Sequence, residues 1–185
     1  MGYILREAHL ADVTFMVDLI ETDGAAGHYK LPSAPEQTRA AEVFKFQSAI
    51  IDGRIAYSFA PEMKARVFIL EADSERAGFA LEREPPFETF ERRGAALIEL
   101  HMLSVAPEFR GRGCGSHLLD LLIGRHPESQ PLFGRCFETS VDMMRMLRRR
   151  KFREVMRHEG THHFLRAGSL TARMFAKELR TMLGP

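Results

Sequence analysis

A chain of 185 residues, 45% hydrophobic and 28% charged, has the balance of a soluble globular protein, long enough for one domain with a substantial core and short for two. A formal net charge of +1 gives no global attraction to nucleic acid or to an anionic membrane, and no run approaches the ~18–20 apolar residues that span a bilayer. The opening Met1-Gly2-Tyr3-Ile4-Leu5-Arg6-Glu7 lacks the basic start and apolar stretch of a signal peptide. Two cysteines, Cys114 and Cys136, are too few for a disulfide framework, so the expected compartment is the cytoplasm.

Tyr3-Ile4-Leu5-Arg6 is a short strand candidate, and Asp12 is placed to cap a helix whose Val13, Met16, Val17 and Ile20 recur at helical spacing until Gly24. A loop with Tyr29 and Lys30 at its centre leads to Ser33-x-x-Glu36, a capping box with Pro35 early in a second helix that runs to about Ile51. Arg54 to Lys64 gives no clear signal. Val67-Phe68-Ile69-Leu70 and Ala77-Gly78-Phe79-Ala80-Leu81 flank the polar turn Asp73-Ser74-Glu75-Arg76 and predict a hairpin. Glu82 to Gly94 is a long connection carrying Phe87, Glu88, Phe90 and Glu91. Those side chains suit either the rim of a pocket or the contact of a homodimer.

Leu97 to Val105 is a mostly apolar strand closed by Pro107, and His117 to Ile123 is a compact helix ending at Gly124. Between them lies Arg110-Gly111-Arg112-Gly113-Cys114-Gly115-Ser116. Three glycines there let a backbone approach a ligand, and the following helix start offers unpaired N–H groups to a phosphate. Arg110 and Arg112 add charge suited to phosphate oxygens. The loop is no Walker motif, because the last Gly leads to Ser116-His117 rather than Lys-Ser/Thr. It is no dinucleotide fingerprint either, because Ser116 stands where the third Gly belongs.

Pro131 to Phe137 is a further strand, Ser140 to Arg150 a helix, and Phe152–Met156 with His162–Leu165 a final hairpin around Glu159-Gly160. Ser169 opens a terminal helix, over 168–184, with Leu170, Met174, Phe175, Leu179 and Leu183 at helical spacing. The basic run Arg145, Arg148, Arg149, Arg150, Lys151 and Arg153 reads first as a solvated face opposite Met144 and Leu147, with a phosphate or an acidic partner as the other readings. His162 and His163 are adjacent in a strand, point to opposite faces and cannot share a metal; no metal site is read.

Arg-x-x-Gly-x-Gly, formed by Arg110, Gly113 and Gly115 after a strand ending Val105-Ala106-Pro107, resembles the acetyl-CoA-binding signature of the GNAT superfamily of N-acetyltransferases. The element order β-α-α-β-β-β-α-β-α-β-β is similar to that fold over about residues 4–166. The resemblance implies one α/β domain over 1–185, with a mixed, mostly antiparallel central sheet flanked by helices and an extra C-terminal helix. It implies acetyl-CoA as co-substrate and a small-molecule or peptide amine as acceptor, acetylated by direct attack. Nucleic acid and membranes are not expected partners.

The resemblance also assigns residues. Glu99 stands eleven residues before Arg110, where some family members place a catalytic Glu. Glu99 and His101 share a strand face, so Glu99 is the first candidate for the general base and His101 the second. Backbone groups of Leu103, Ser104 and Val105 would bond the pantetheine arm where the strand bulges and splays. Arg110, Gly111, Arg112, Gly113, Cys114, Gly115 and Ser116 would hold the pyrophosphate, and Ser140 falls where the family has an Asn. The family's acidic Tyr falls on Leu147. Ser140, a water or Tyr29 would then protonate the thiolate, unless it leaves unassisted or the site is slow. The alternative is a GNAT-fold acyl-CoA-binding or protein-interaction module with little catalysis.

Overall fold

The computed structural model describes residues 2–29, 35–57, 60–85, 97–167 and 169–183. In chain order these form β1 (Tyr3–Glu7), α1 (Val13–Ala25), α2 (Pro35–Asp52), β2 (Arg54–Tyr57), β3 (Ala60–Ala72), β4 (Glu75–Arg83) and β5 (Ile98–Val105). There follow α3 (Cys114–Gly124), β6 (Leu132–Phe137), α4 (Val141–Arg149), β7 (Arg153–His158), β8 (Thr161–Arg166) and α5 (Ser169–Leu183). Ser33 and Lys30, the connection bearing Phe87, Glu88, Phe90 and Glu91, and the side chains of Glu36 and Ser169 lie outside the described residues.

The eight strands form one sheet in the order β1-β3-β4-β5-β6-β8-β7, with β2 paired to β3 off that path. Every pairing is antiparallel except β5 with β6. The unplaced stretch Arg54 to Lys64 is β2 and the start of β3, paired Arg54 with Lys64 and Ile55 with Met63. Asp12 caps differently from the expectation. It makes no side-chain cap to α1; its carboxylate accepts the His9 N–H at 2.8 Å and pairs with Arg6 at 2.7 Å, fastening the 3-10 turn that precedes the helix to β1.

One apolar cluster packs α1, α2 and α3 on the sheet, with Met16, Phe46, Phe68, Phe79 and Leu118 fully buried. A second holds Leu119, Leu147 and Phe164 under α4. The third gives α5 its purpose: Phe175 and Leu179 cover Phe133 and Leu165, and the Phe175 ring meets Phe133 edge-on at 4.7 Å. No helix among the described residues is long and apolar enough to cross a membrane.

Two features of β5 position the site. Its register with β4 steps from Leu81–Met102 to Glu82–Leu100, so His101 is the extra residue of a β-bulge. Its pairing with β6 runs from Ile98–Leu132 to Leu100–Gly134 and ends there, so the two strands part beyond the bulge. At the other end of β5, Gly78 is required by a close approach. A Cβ there would stand 2.4 Å from the Ser104 carbonyl oxygen and 3.2 Å from Val105 Cα.

The buried histidines make the fold acid-sensitive. Burial pulls His101 and His163 down to about 4, below the ordinary value of ~6.5. The unfolded chain therefore binds these protons first, and the stability held above pH ~6.5 is lost as pH falls toward 4. Urea titrations across that window should show the midpoint falling, and His163→Phe should flatten the slope. A midpoint independent of pH there would contradict neutral buried imidazoles.

Candidate functional site

Where β5 and β6 part, a cavity of about 640 Å³ opens. Its walls are β5 from Leu100 to Val105, the end of β6 from Arg135 to Phe137, and residues of α1, α2, α4 and the loop after α1. The family resemblance implied a bulge and a splay before Pro107; the bulge falls at His101 and the pairing with β6 ends at Leu100, ahead of Leu103 to Val105. His101, Leu103, Ser104, Val105, Arg110, Gly115 and Ser140 all line this one cavity.

Glu99 does not line it. The residue is 1% exposed and sits behind the wall, held by cations on two sides. Arg83, its direct cross-strand partner on β4, donates Nε to it at 2.6 Å. Arg135, diagonal to it on β6, donates Nε at 3.0 Å and places Nη2 at 2.8 Å. Burial alone would raise this carboxyl, but His101, Arg135 and Arg83 outweigh it and hold it well below the usual carboxylate range. Such a group stays ionised and accepts a proton poorly.

His101 has the opposite character. Its Nδ1 lies 3.0 Å from Glu99 Oε1, so the carboxylate accepts the Nδ1 proton and the ring's lone pair sits at Nε2. Burial holds the ring neutral down to about pH 4, against the opposing pull of Glu99. The bulge that makes His101 the extra residue places it on the cavity wall while Glu99 stays behind.

The glycine loop follows a 3-10 turn at Pro107–Phe109. Gly111 and Gly113 have φ of +72° and +85°, and Gly113 is the left-handed N-cap of α3. Gly115 lies where the Val105 side chain and Met146 of α4 converge, at 3.5 and 3.6 Å from the position of a Cβ. The first-turn N–H groups of α3 have no helical acceptor and suit an anion. Side chains in the loop divide. Cys114 is buried, with Sγ 3.7 Å from the Tyr3 hydroxyl, while Arg112 is exposed.

Asp23, Glu42 and Lys45, which sequence reasoning did not single out, organise the site together with Tyr29, Ser104 and Arg110, which it did. Asp23, at the end of α1, accepts from Ser104 Oγ at 2.5 Å and from Arg110 Nη2 at 2.6 Å. Arg110 also donates Nε to the Val105 carbonyl at 2.8 Å, so its guanidinium clamps the end of β5 to α1. Tyr29 donates its hydroxyl to the Leu103 carbonyl at 3.0 Å, and burial raises its pKa. On α2, Lys45 is buried in an ion pair with Glu42, its Nζ 3.8 Å from Met102 Sδ, and burial lowers its pKa. No spacing rule joins Asp23 to Ser104 or Arg83 to Glu99; only the folded chain does.

The basic run is a solvated face, exposed at every residue except Arg150, with half of its members ion-paired. Arg150 binds Asp120 at 2.6 Å and the Ser116 hydroxyl at 2.5 Å, tying α4 to the first turn of α3. Arg145 pairs with Asp142 and Arg148 with Glu154, both at 2.8 Å, while Met144 and Leu147 are buried on the opposite face as the pattern implied. His162 pairs with Glu154 and His163 stacks on Phe133, on opposite faces of β8.

The acetyltransferase (GNAT) domain family matches residues 63–150, the segment that carries β5, the loop and α4. No curated protein sequence matches the chain. Among solved structures, the chain is similar to a ribosomal-protein-alanine N-acetyltransferase from Brucella melitensis, with 19% identity, TM-score 0.61 and coverage of 89% of this chain and 99% of that one. A protein described as histone acetyltransferase HPA2 and related acetyltransferase from Corynebacterium glutamicum gives 18%, 0.62, and 91% and 98%. The putative acetyltransferase yncA from Salmonella typhimurium, solved with its cofactor acetyl-CoA, gives 16%, 0.60, and 89% and 93%. These likenesses show a shared fold. The acetyltransferase (GNAT) family match covers a little under half of the chain, the core that bears the site.

Proposed function

We propose that the protein is a cytoplasmic, acetyl-CoA-dependent N-acetyltransferase that passes an acetyl group to a primary amine by direct attack. The observation that carries this reading is His101, neutral and orientated by Glu99, on the wall of the cleft that the splayed strands and glycine loop share. The loop N–H groups, with Arg112, would hold the pyrophosphate, and the β5 backbone from Leu103 to Val105 would align the pantetheine arm. Binding of acetyl-CoA by a neighbour of the same fold supports that placement.

The chemistry follows from the protonation states. A neutral amine attacking the thioester acquires positive charge on nitrogen and becomes acidic, so a weakly basic imidazole can take its proton. Glu99 is the positioning residue: it fixes the tautomer and stabilises the imidazolium that forms, while remaining ionised itself. The order of preference between the two sequence candidates is thus reversed. Cys136 also lines the cavity, but burial pushes its thiol up to about 12, which argues against an acyl-cysteine intermediate.

Calorimetry should show acetyl-CoA binding to the wild type and none to Gly113→Val, because a branched side chain resists φ of +85° at the helix start. Circular dichroism should show the variant folded. Equal affinity in both proteins would remove the loop from the binding site. A panel of primary amines and short peptides, scored by CoA release, identifies the acceptor and separates an enzyme from a binding module.

A further inference from the structure

We propose that Ser140 and His28 together form the proton donor to the departing CoA thiolate. The proposal rests on the acetyl-transfer reading above. Where the family resemblance implies an acidic tyrosine the chain has Leu147, fully buried beneath α4 with Cδ1 3.6 Å from where a Cβ on Gly134 would lie. Tyr29 does not replace it. Its hydroxyl proton is given to the Leu103 carbonyl, and its raised pKa makes it a poorer acid still.

Ser140 is the N-cap of α4 and lines the cavity. A serine there ordinarily turns its oxygen onto an N–H of the first helical turn. Here the side chain makes no cap bond; Oγ lies 3.2 Å from His28 Nδ1. Two further bonds hold the pair in place. Thr139 Oγ1 donates to the Gly27 carbonyl at 2.6 Å, and the Ser140 N–H donates to the Phe137 carbonyl at 2.9 Å. The loop after α1 is thus docked on the turn before α4, with both polar side chains on the cavity wall.

The proton path balances. As the C–S bond breaks, sulfur keeps the electron pair and takes the Ser140 Oγ proton; Ser140 takes the Nδ1 proton of His28. His28 is half-exposed and takes a solvent proton at Nε2 as it gives up the one on Nδ1, so no imidazolate forms. The amine proton goes separately to His101, so the products are the amide and the free thiol. The N-terminal end of α4, beside Ser140, favours the negative charge that develops on sulfur.

Two thioesters test this. With acetyl-CoA and the best acceptor of the amine panel, Ser140→Ala and His28→Ala should each lower kcat by at least about tenfold. Ser140→Thr should retain most of the rate, and the double variant should be no slower than the worse single one. With the acetyl thioester of 5-thio-2-nitrobenzoate, whose thiolate needs no proton to leave, kcat/KM should be the same in all these proteins. Equal losses on both thioesters, or near-wild-type rates with acetyl-CoA, would overturn the relay. Failure of the wild type to release CoA with any acceptor would instead overturn the acetyl-transfer reading.

Discussion

Replacing His101 by Gln is expected to lower kcat/KM by about 10²-fold or more without changing acetyl-CoA affinity. The pH profile distinguishes this from a merely structural loss. Because His101 is neutral above about pH 4, a rising limb near neutrality is expected to belong to the acceptor amine. The variant should therefore lower the whole profile without displacing that limb. A limb that moves in the His101 variant would mean that the imidazole itself titrates near neutrality. A rate close to wild type would remove the base from this strand altogether.

Glu99→Ala is expected to act mainly on stability, costing about 3–5 kcal/mol, because it leaves Arg83 buried without its carboxylate. Glu99→Gln keeps hydrogen-bond capacity without the charge and should fall between Ala and wild type in urea denaturation. The pH dependence has a definite sign. The folded-state pKa of Glu99 is depressed, so its contribution is complete above the ordinary carboxylate value of ~4.3 and is lost as pH falls through the folded value. A Glu99→Ala protein as stable as wild type would show that the two arginines find other partners. Because Glu99 also fixes the His101 tautomer, Glu99→Gln should lower kcat as well, and a variant with unchanged activity would remove that positioning role.

Most of the architecture was legible because its signals are local. The hairpin around Asp73-Ser74, the glycine loop and the apolar stripe of the terminal helix each announce themselves within about a dozen residues. β2 did not: four residues, Arg54 to Tyr57, are too few for a period of two to register, and their partner Ala60 to Lys64 mixes Pro, Glu and Lys into the start of a long strand. At the site, the glycine loop and the face shared by Glu99 and His101 were visible as spacing. The ranking of those two was not. It depends on Arg83, sixteen residues before Glu99, and Arg135, thirty-six after, converging on one carboxylate. The partnership of His28 with Ser140, 112 residues apart, has no trace in the chain until the loop docks.

The parting of β5 from β6 also bears on how such a protein changes over generations. An open strand edge on a surface invites other chains to add to it, whereas this one faces a cleft inside the sheet. A ligand laid along it meets amides and carbonyls that every residue type carries, proline aside. Mutation can exchange the side chains around the cleft while those main-chain groups stay. Structures at 16–19% identity that still superpose over about nine-tenths of the chain are what that tolerance would leave behind.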